Sequence, residues 1–158
     1  MLTVILRKGL LLMDNYYTNS CTKLVSYDQI YTSELRPKLM ALDLFLKENN
    51  APFHVYEVAN ILEIEPKEII CFMSECQIKE LDATSLFSFM IQSSSEIGGY
   101  ILRQWKYHHI SHYTAETIAE IYKLNLHKVQ TAFDDLNVTL VTDDELIEVF
   151  KRIHMTRF

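Results

Sequence analysis

The stretch "VANILEIEPKEIICFM", residues 58–73, returns in altered form as "IAEIYKLNLHKVQTAF", residues 118–133. Laying Val58 on Ile118 sets Ala59 on Ala119, Ile61 on Ile121, Leu62 on Tyr122, Ile64 on Leu124, Ile69 on Val129, Met73 on Phe133 and Cys76 on Leu136, without a gap. Val58, Ile61 and Leu62 stand at i, i+3 and i+4, as do Ile118, Ile121 and Tyr122, so each set shares one face of a short helix. Ile69, Met73 and Cys76 form the stripe of a second helix, matched by Val129, Phe133 and Leu136. Between the helices, "EIEP" and "KLNL" each hold one apolar residue, Ile64 or Leu124, that can tuck under the crossing. Ala59 and Ala119 leave room for the two helices to approach. Pro66 suits the first turn of a helix, where its missing N–H costs nothing.

The correspondence runs on in both directions. Ile78 falls on Val138, Asp82 on Thr142, Leu86 on Leu146, Phe89 on Val149 and Met90 on Phe150; backwards, Phe53 falls on Tyr113, Phe45 on Trp105 and Leu42 on Leu102. Thr114 and Thr84 stand where N-caps are needed. Each copy reads as a first helix, two crossing helices, one short extended piece ("QIKEL" or "NVTLV") and a last helix. The expected fold is mostly α: two tandem helical repeats, each with one short strand, sharing a packed interface because each is small for independent stability. The organisation is an N-terminal arm over 1–32, a first repeat over 33–92 and a second over 93–158. "IQSSSEIGGY" has the Ser and Gly content of a junction, although its serines could equally cap the next helix.

Composition bounds the function. Nearly half of the residues, 49%, are hydrophobic, and only three Gly and three Pro interrupt a chain of 158, which favours helices and a real core. The formal charge of -6 argues against a general nucleic-acid coat or a binder of anionic membranes. It is unevenly spread: residues 34–92 hold ten acids against five bases, and residues 93–158 nine against seven, with most of the histidines. Cys21, Cys71 and Cys76 form no CxxC pair, so a reducing, cytoplasmic setting is expected. The opening "MLTVILRKGLLLM" is broken by Arg7 and Lys8 and lacks a signal cleavage site, and no stretch approaches a membrane span, so no membrane partner is expected. Met13, which begins "MDNYYTNS", is a candidate natural start.

"YEVANILEIEPKEIICFMSECQIKELDATSLFSFM" resembles the helix-turn-helix unit of excisionases and MerR-type regulators, and "AETIAEIYKLNLHKVQTAFDDLNVTLVTDDELIEVF" is similar. The resemblance covers about half of the chain and implies a non-enzymatic regulator that binds double-stranded DNA. It departs from the family in one respect: "CQIKELDA" and "LNVTLVTD" leave space for one strand at most, where the family needs a hairpin wing.

In such a unit the second helix enters the major groove by the face opposite its core stripe, with helix N-termini near phosphates. The candidates for DNA contact are His127, Lys128, Gln130 and Thr131, with His112 and Thr114 at the preceding helix start. The aligned surface of the first copy is apolar and acidic, and Lys67, Ile70, Cys71 and Ser74 are instead candidates for contact with protein: the arm "SYDQIYTSELRP", a second subunit in a homodimer, or an outside partner. Dimerisation would carry two second copies to successive grooves. The alternative is a protein–protein interaction adaptor that keeps the fold without binding DNA.

The sequence offers little to catalysis. His108 and His112 share the i, i+4 spacing of half a zinc site, but no HExxH, nearby Cys or acid completes it. Gly-rich phosphate loops, GxSxG elbows and paired-carboxylate clusters are missing, and the acids of "TDDELIE" complement a helix dipole. Neither cofactor nor metal is expected.

Overall fold

A computed structural model of the chain describes residues 22–157; the opening apolar stretch, Met13 and Cys21 lie outside the described residues. A short strand, β1 (Lys23–Ser26), leads into α1 (Tyr27–Ile30), a π-helical turn over Tyr31–Leu35, and α2 (Arg36–Glu48). These three helical pieces form one unbroken run across the expected boundary at residues 32 and 33. Pro37 explains the wide turn: its ring cannot tolerate the carbonyl of Ser33 at α-helical distance, and opening the preceding turn relieves the clash without ending the helix. The chain continues through α3 (Val55–Leu62), α4 (Pro66–Glu75), α5 (Ala83–Met90), α6 (Glu96–Lys106), α7 (Ala115–Tyr122) and α8 (Leu126–Leu136). A 3₁₀ turn over Asp143–Glu145, α9 (Leu146–Arg152) and a final strand, β2 (His154–Arg157), complete it.

Local geometry recurs at a sixty-residue spacing. α3 ends at Glu63 and α7 at Lys123, both left-handed with φ 56° and 52°. At each end the next amide reaches back over the turn: Ile64 N–H donates to Ala59 O at 3.0 Å, and Leu124 N–H to Ala119 O at 2.9 Å. This is the Schellman closure, and it drives Ile64 and Leu124 under the helix crossing. Gln77 and Asn137 close α4 and α8 the same way, both at φ 55°, with Ile78 N–H on Met73 O and Val138 N–H on Phe133 O. Phe53 N–H bonds Leu81 O as Tyr113 N–H bonds Val141 O. Capping boxes follow at Asp82 with Ser85 and at Thr142 with Glu145.

The apolar side chains form two cores. One gathers Leu42, Phe45, Val58, Leu62, Ile69, Leu86 and Phe89 around α2 to α5; the other gathers Ile118, Ile121, Val129, Phe133, Val149 and Phe150 around α7 to α9. Leu39 of α2 and Ile101 of α6 pack against both. The start of the N-terminal run, Tyr27 with Ile30, Tyr31 and Leu35, belongs to the second core. Tyr27 meets Phe150 edge to face with centroids 4.9 Å apart, and Tyr31 lies 6.0 Å from Tyr122. The arm "SYDQIYTSELRP" therefore seats itself on the second half, so of the three occupants considered for the surface of α4 it is the one the fold directs elsewhere.

Other expectations are corrected too. Neither "QIKEL" nor "NVTLV" is a strand; a single bridge, Tyr113 to Val141, is all that pairs there. The two-stranded sheet forms instead from the two ends of the described residues, β1 antiparallel to β2 with Lys23 opposite Arg157 and Ser26 opposite His154. Cys76 is exposed rather than in the core stripe, because α4 stops at Glu75, and Phe72 takes its place. Asp82, not Thr84, caps α5: its carboxylate accepts Ser85 N–H at 2.7 Å while Ser85 Oγ accepts Asp82 N–H. Thr114 caps α7 as expected. The backward match fails at the first helix of the second half. Leu42 and Phe45 are buried, whereas Leu102 and Trp105 are 41% and 58% exposed, because α6 turns Ile97, Gly98 and Tyr100 inward.

Gly98 permits that rotation. A Cβ there would stand 2.5 Å from Met90 O, a backbone atom that cannot swing aside. Gly98→Ala is expected to cost about 1–3 kcal/mol by overpacking, read as a lower urea midpoint. Asp82 supplies a pH-dependent prediction. Ser85 N–H, then the Ser85 hydroxyl, hold its carboxyl below the usual carboxylate range. A depressed folded pKa contributes stability above the unfolded value and loses it as pH falls through the folded one. The urea midpoint of Asp82→Ala should thus fall below that of the parent at neutral pH, and the gap should narrow as pH falls through the range in which that carboxyl protonates.

Candidate functional site

α4 presents two faces. Ile69 is fully buried and Phe72 nearly so, whereas Ile70, its neighbour, is 50% exposed. Beside Ile70 the flank of α4 forms one wall of a groove of about 510 Å³, and the segment joining α5 to α6 forms the other. Its floor is aromatic: Phe72 and Phe89 lie 5.2 Å apart in a tilted pair. Its rim carries Glu65, Glu68 and Glu75, against which stands Lys67 alone.

The serines of the joining segment hold the groove open. Ser94 Oγ donates to the Glu68 carboxylate at 2.6 Å, tying the far wall to α4. Ser95 caps α6 by accepting Gly98 N–H and donates to Leu62 O at 2.9 Å, which anchors α6 on the end of α3. Among the expected protein-contact residues, Lys67 and Cys71 line the groove, while Ile70 and Ser74 lie exposed on the adjoining strip of the helix. Glu65, Phe89 and Ser94 were not among the residues the sequence placed on this surface. The run "SSS" was the available signal, read there as a junction and not as a wall.

The expected DNA-contact residues lie on α8 and at the start of α7. His127, Lys128, Gln130 and Thr131 are exposed, as is His112, and Thr114 is half-buried. Most of their polar groups already have partners. Lys128 Nζ donates to His154 O at 2.6 Å, Gln130 Nε2 to Asp134 Oδ1 at 3.1 Å, and Thr131 Oγ1 to His127 O at 2.9 Å. Thr114 Oγ1 accepts Thr117 N–H, and His112 Nδ1 sits 2.9 Å from Ser111 Oγ. Carboxylates border this region: Asp134 and Asp135 on α8, Glu116 and Glu120 on α7. Glu120 is itself held below its ordinary range by Lys106 and then Tyr107.

α6 ends at Lys106, so His108 and His112 do not share a helix face; His108 instead stacks on Trp105 with centroids 4.8 Å apart. Among the described residues no three His, Cys, Asp or Glu side chains converge to hold a metal ion. No helix among them is long and apolar enough to cross a membrane.

The two faces of α4 predict opposite responses. Ile69→Ala should cost about 2–5 kcal/mol through a core cavity. Ile70→Glu should change stability by less than about 0.5 kcal/mol, as an exposed substitution. Urea denaturation of both variants reads the contrast.

Neither a protein-family model, nor a curated protein, nor a solved structure matches the chain.

Proposed function

We propose that the chain is a non-enzymatic docking protein built from two copies of a helix-turn-helix unit, whose first copy receives a basic protein segment through α4. The turns at Glu63 and Lys123, with their matching amide bonds, support the duplication. The observation that carries the docking reading is Ile70, half-exposed beside an aromatic-floored groove with a carboxylate rim. Burying Ile70 would gain about 1 kcal/mol or more, and the rim would favour Lys or Arg around the apolar anchor. An anionic partner would meet three carboxylates.

A second reading keeps DNA contact through α8, where His127, Gln130 and Thr131 stand exposed on the first turns. Two features weigh against it. The Lys128 ammonium gives one of its three donors to the His154 carbonyl, which ties the side chain to the start of β2 instead of leaving it to follow a phosphate. Asp134, Asp135 and Glu116 would also be drawn towards the phosphates, at a cost that rises as salt falls.

Selection of a random peptide display library on the full chain separates the readings. Enriched peptides should combine Lys or Arg with a large apolar residue. Ile70→Glu should weaken them about tenfold or more, whereas Lys128→Ala and Gln130→Ala should leave them unchanged. Acidic winners, or indifference to Ile70→Glu, would remove the docking surface from α4. Salt-dependent anisotropy of a labelled random duplex pool, lost in Lys128→Ala and Gln130→Ala, would move the function to α8.

A further inference from the structure

A separate cleft of about 220 Å³ opens where the two halves meet. The N-terminal run supplies Tyr27 and Lys38, α6 supplies Tyr100 and Arg103, and the end of α7 supplies Tyr122 and Lys123. Arg103 is aimed with unusual care. Its Nε donates to Ile121 O at 2.8 Å, which fixes the plane of the guanidinium. Its Nη1 lies against α6 so closely that a Cβ on Gly99 would stand 3.1 Å away, so the missing side chain of Gly99 makes room for it. The η nitrogens themselves have no hydrogen-bond or ion-pair partner among the described residues, and neither has the ammonium of Lys123.

The other charges in the cleft are largely satisfied. Lys38 is paired with Glu63 at 2.5 Å, and Glu34 with Arg157. Glu96 is the lining carboxylate without an ion pair among the described residues, set against two such cations, Arg103 and Lys123. The surplus is one positive charge. The walls are aromatic: the Tyr122 ring lies 5.5 Å from that of Tyr100 and 6.1 Å from that of Tyr27. Tyr100 OH donates to Tyr122 OH at 3.4 Å, and Tyr27 OH has no partner among the described residues. Burial pushes Tyr27 up to about 12 and raises Tyr122 as well, so both hydroxyls remain protonated donors at neutral pH.

We propose that this cleft binds a small aromatic carboxylate, its ring against Tyr27, Tyr100 and Tyr122 and its carboxylate on the η nitrogens of Arg103 and the ammonium of Lys123. Size selects the class. Sites for drug-sized molecules span roughly 300–1,000 Å³, so this one fits a single ring with one acidic group. A planar guanidinium anchored at Nε presents its two η donors in the fork that a carboxylate accepts. The inference does not depend on α4 or its groove.

Titration of the full chain, with tyrosine rings isotope-labelled and followed by NMR, tests it. Benzoate should shift the signals of Tyr27, Tyr100 and Tyr122 saturably and leave that of exposed Tyr56 in place. Benzamide, equal in shape but neutral, should bind about tenfold more weakly, and benzylamine should not bind. Arg103→Lys should weaken benzoate about tenfold, since a lysine lacks the fork. Lys123→Gly should weaken it several-fold without loss of thermal stability, because glycine suits the left-handed backbone there. That variant keeps the test valid if Arg103→Lys loosens the end of α7. Absence of a saturable shift overturns the site, and so does equal binding of benzamide, or benzoate binding that both variants leave unchanged. Inorganic phosphate binding as tightly as benzoate would overturn the aromatic part.

Discussion

Leu39 and Ile101 lie between the two cores and pack against both, and the rest of the molecule depends on that shared contact. Each half holds too little chain to bury a generous fraction of its own surface. Joining them through two central side chains lets each core count the other as its wall. α6 is the wedge that makes the joint, and it can lie close to α5 only because position 98 carries no Cβ. The N-terminal run closes the second core from outside by inserting Tyr27 and Tyr31 against Phe150 and Tyr122. The two ends of the described residues are then held together by β1 and β2 and by the Glu34–Arg157 pair.

Much of this was legible in the sequence for one reason: helical spacing exposes a stripe wherever one face is buried and the other wet. Val58, Ile61 and Leu62 with their counterparts sixty residues on are such stripes, and the turns after them needed only one tucked apolar residue. The failures share a cause as well. Cys76 lies one residue past a helix end that spacing alone does not mark. Trp105 and Leu102 align with the buried Phe45 and Leu42, but their helix packs on two bodies at once and is turned accordingly. The β1–β2 pairing links residues more than a hundred positions apart, and four-residue strands carry almost no periodic signal.

The candidate site was half legible. An apolar, acidic strip on α4 could be read from Ile70, Cys71, Glu68 and Glu75, because a surface isoleucine beside like charges conflicts with a solvated helix face. The opposite wall could not, since Ser94 reaches Glu68 across a separation of 26 residues through a turn whose direction no local pattern encodes. The polar face of α8 shows the converse. Its residue types suit DNA, but type says nothing of whether a lysine is already bonded, and Lys128 is.

Both surfaces that stand out lie where the sixty-residue correspondence breaks down. Ile70 and Cys71 replace Gln130 and Thr131; Tyr100 and Arg103 stand where the first half has Met40 and Asp43; Lys123 answers Glu63 with the opposite charge. Positions that only maintain the fold are free to keep matching chemistry, and those in the turns and stripes do so. Local rules are broken where something other than folding sets the residue. A guanidinium carried into a tyrosine-walled cleft gains nothing for the core. Burial draws the Arg103 pKa below its ordinary value, which marks the environment as unfavourable to its charge, although arginine keeps that charge at physiological pH. A charged group held in such a place, bonded at one nitrogen and left open at two, is best accounted for by an anion that completes it.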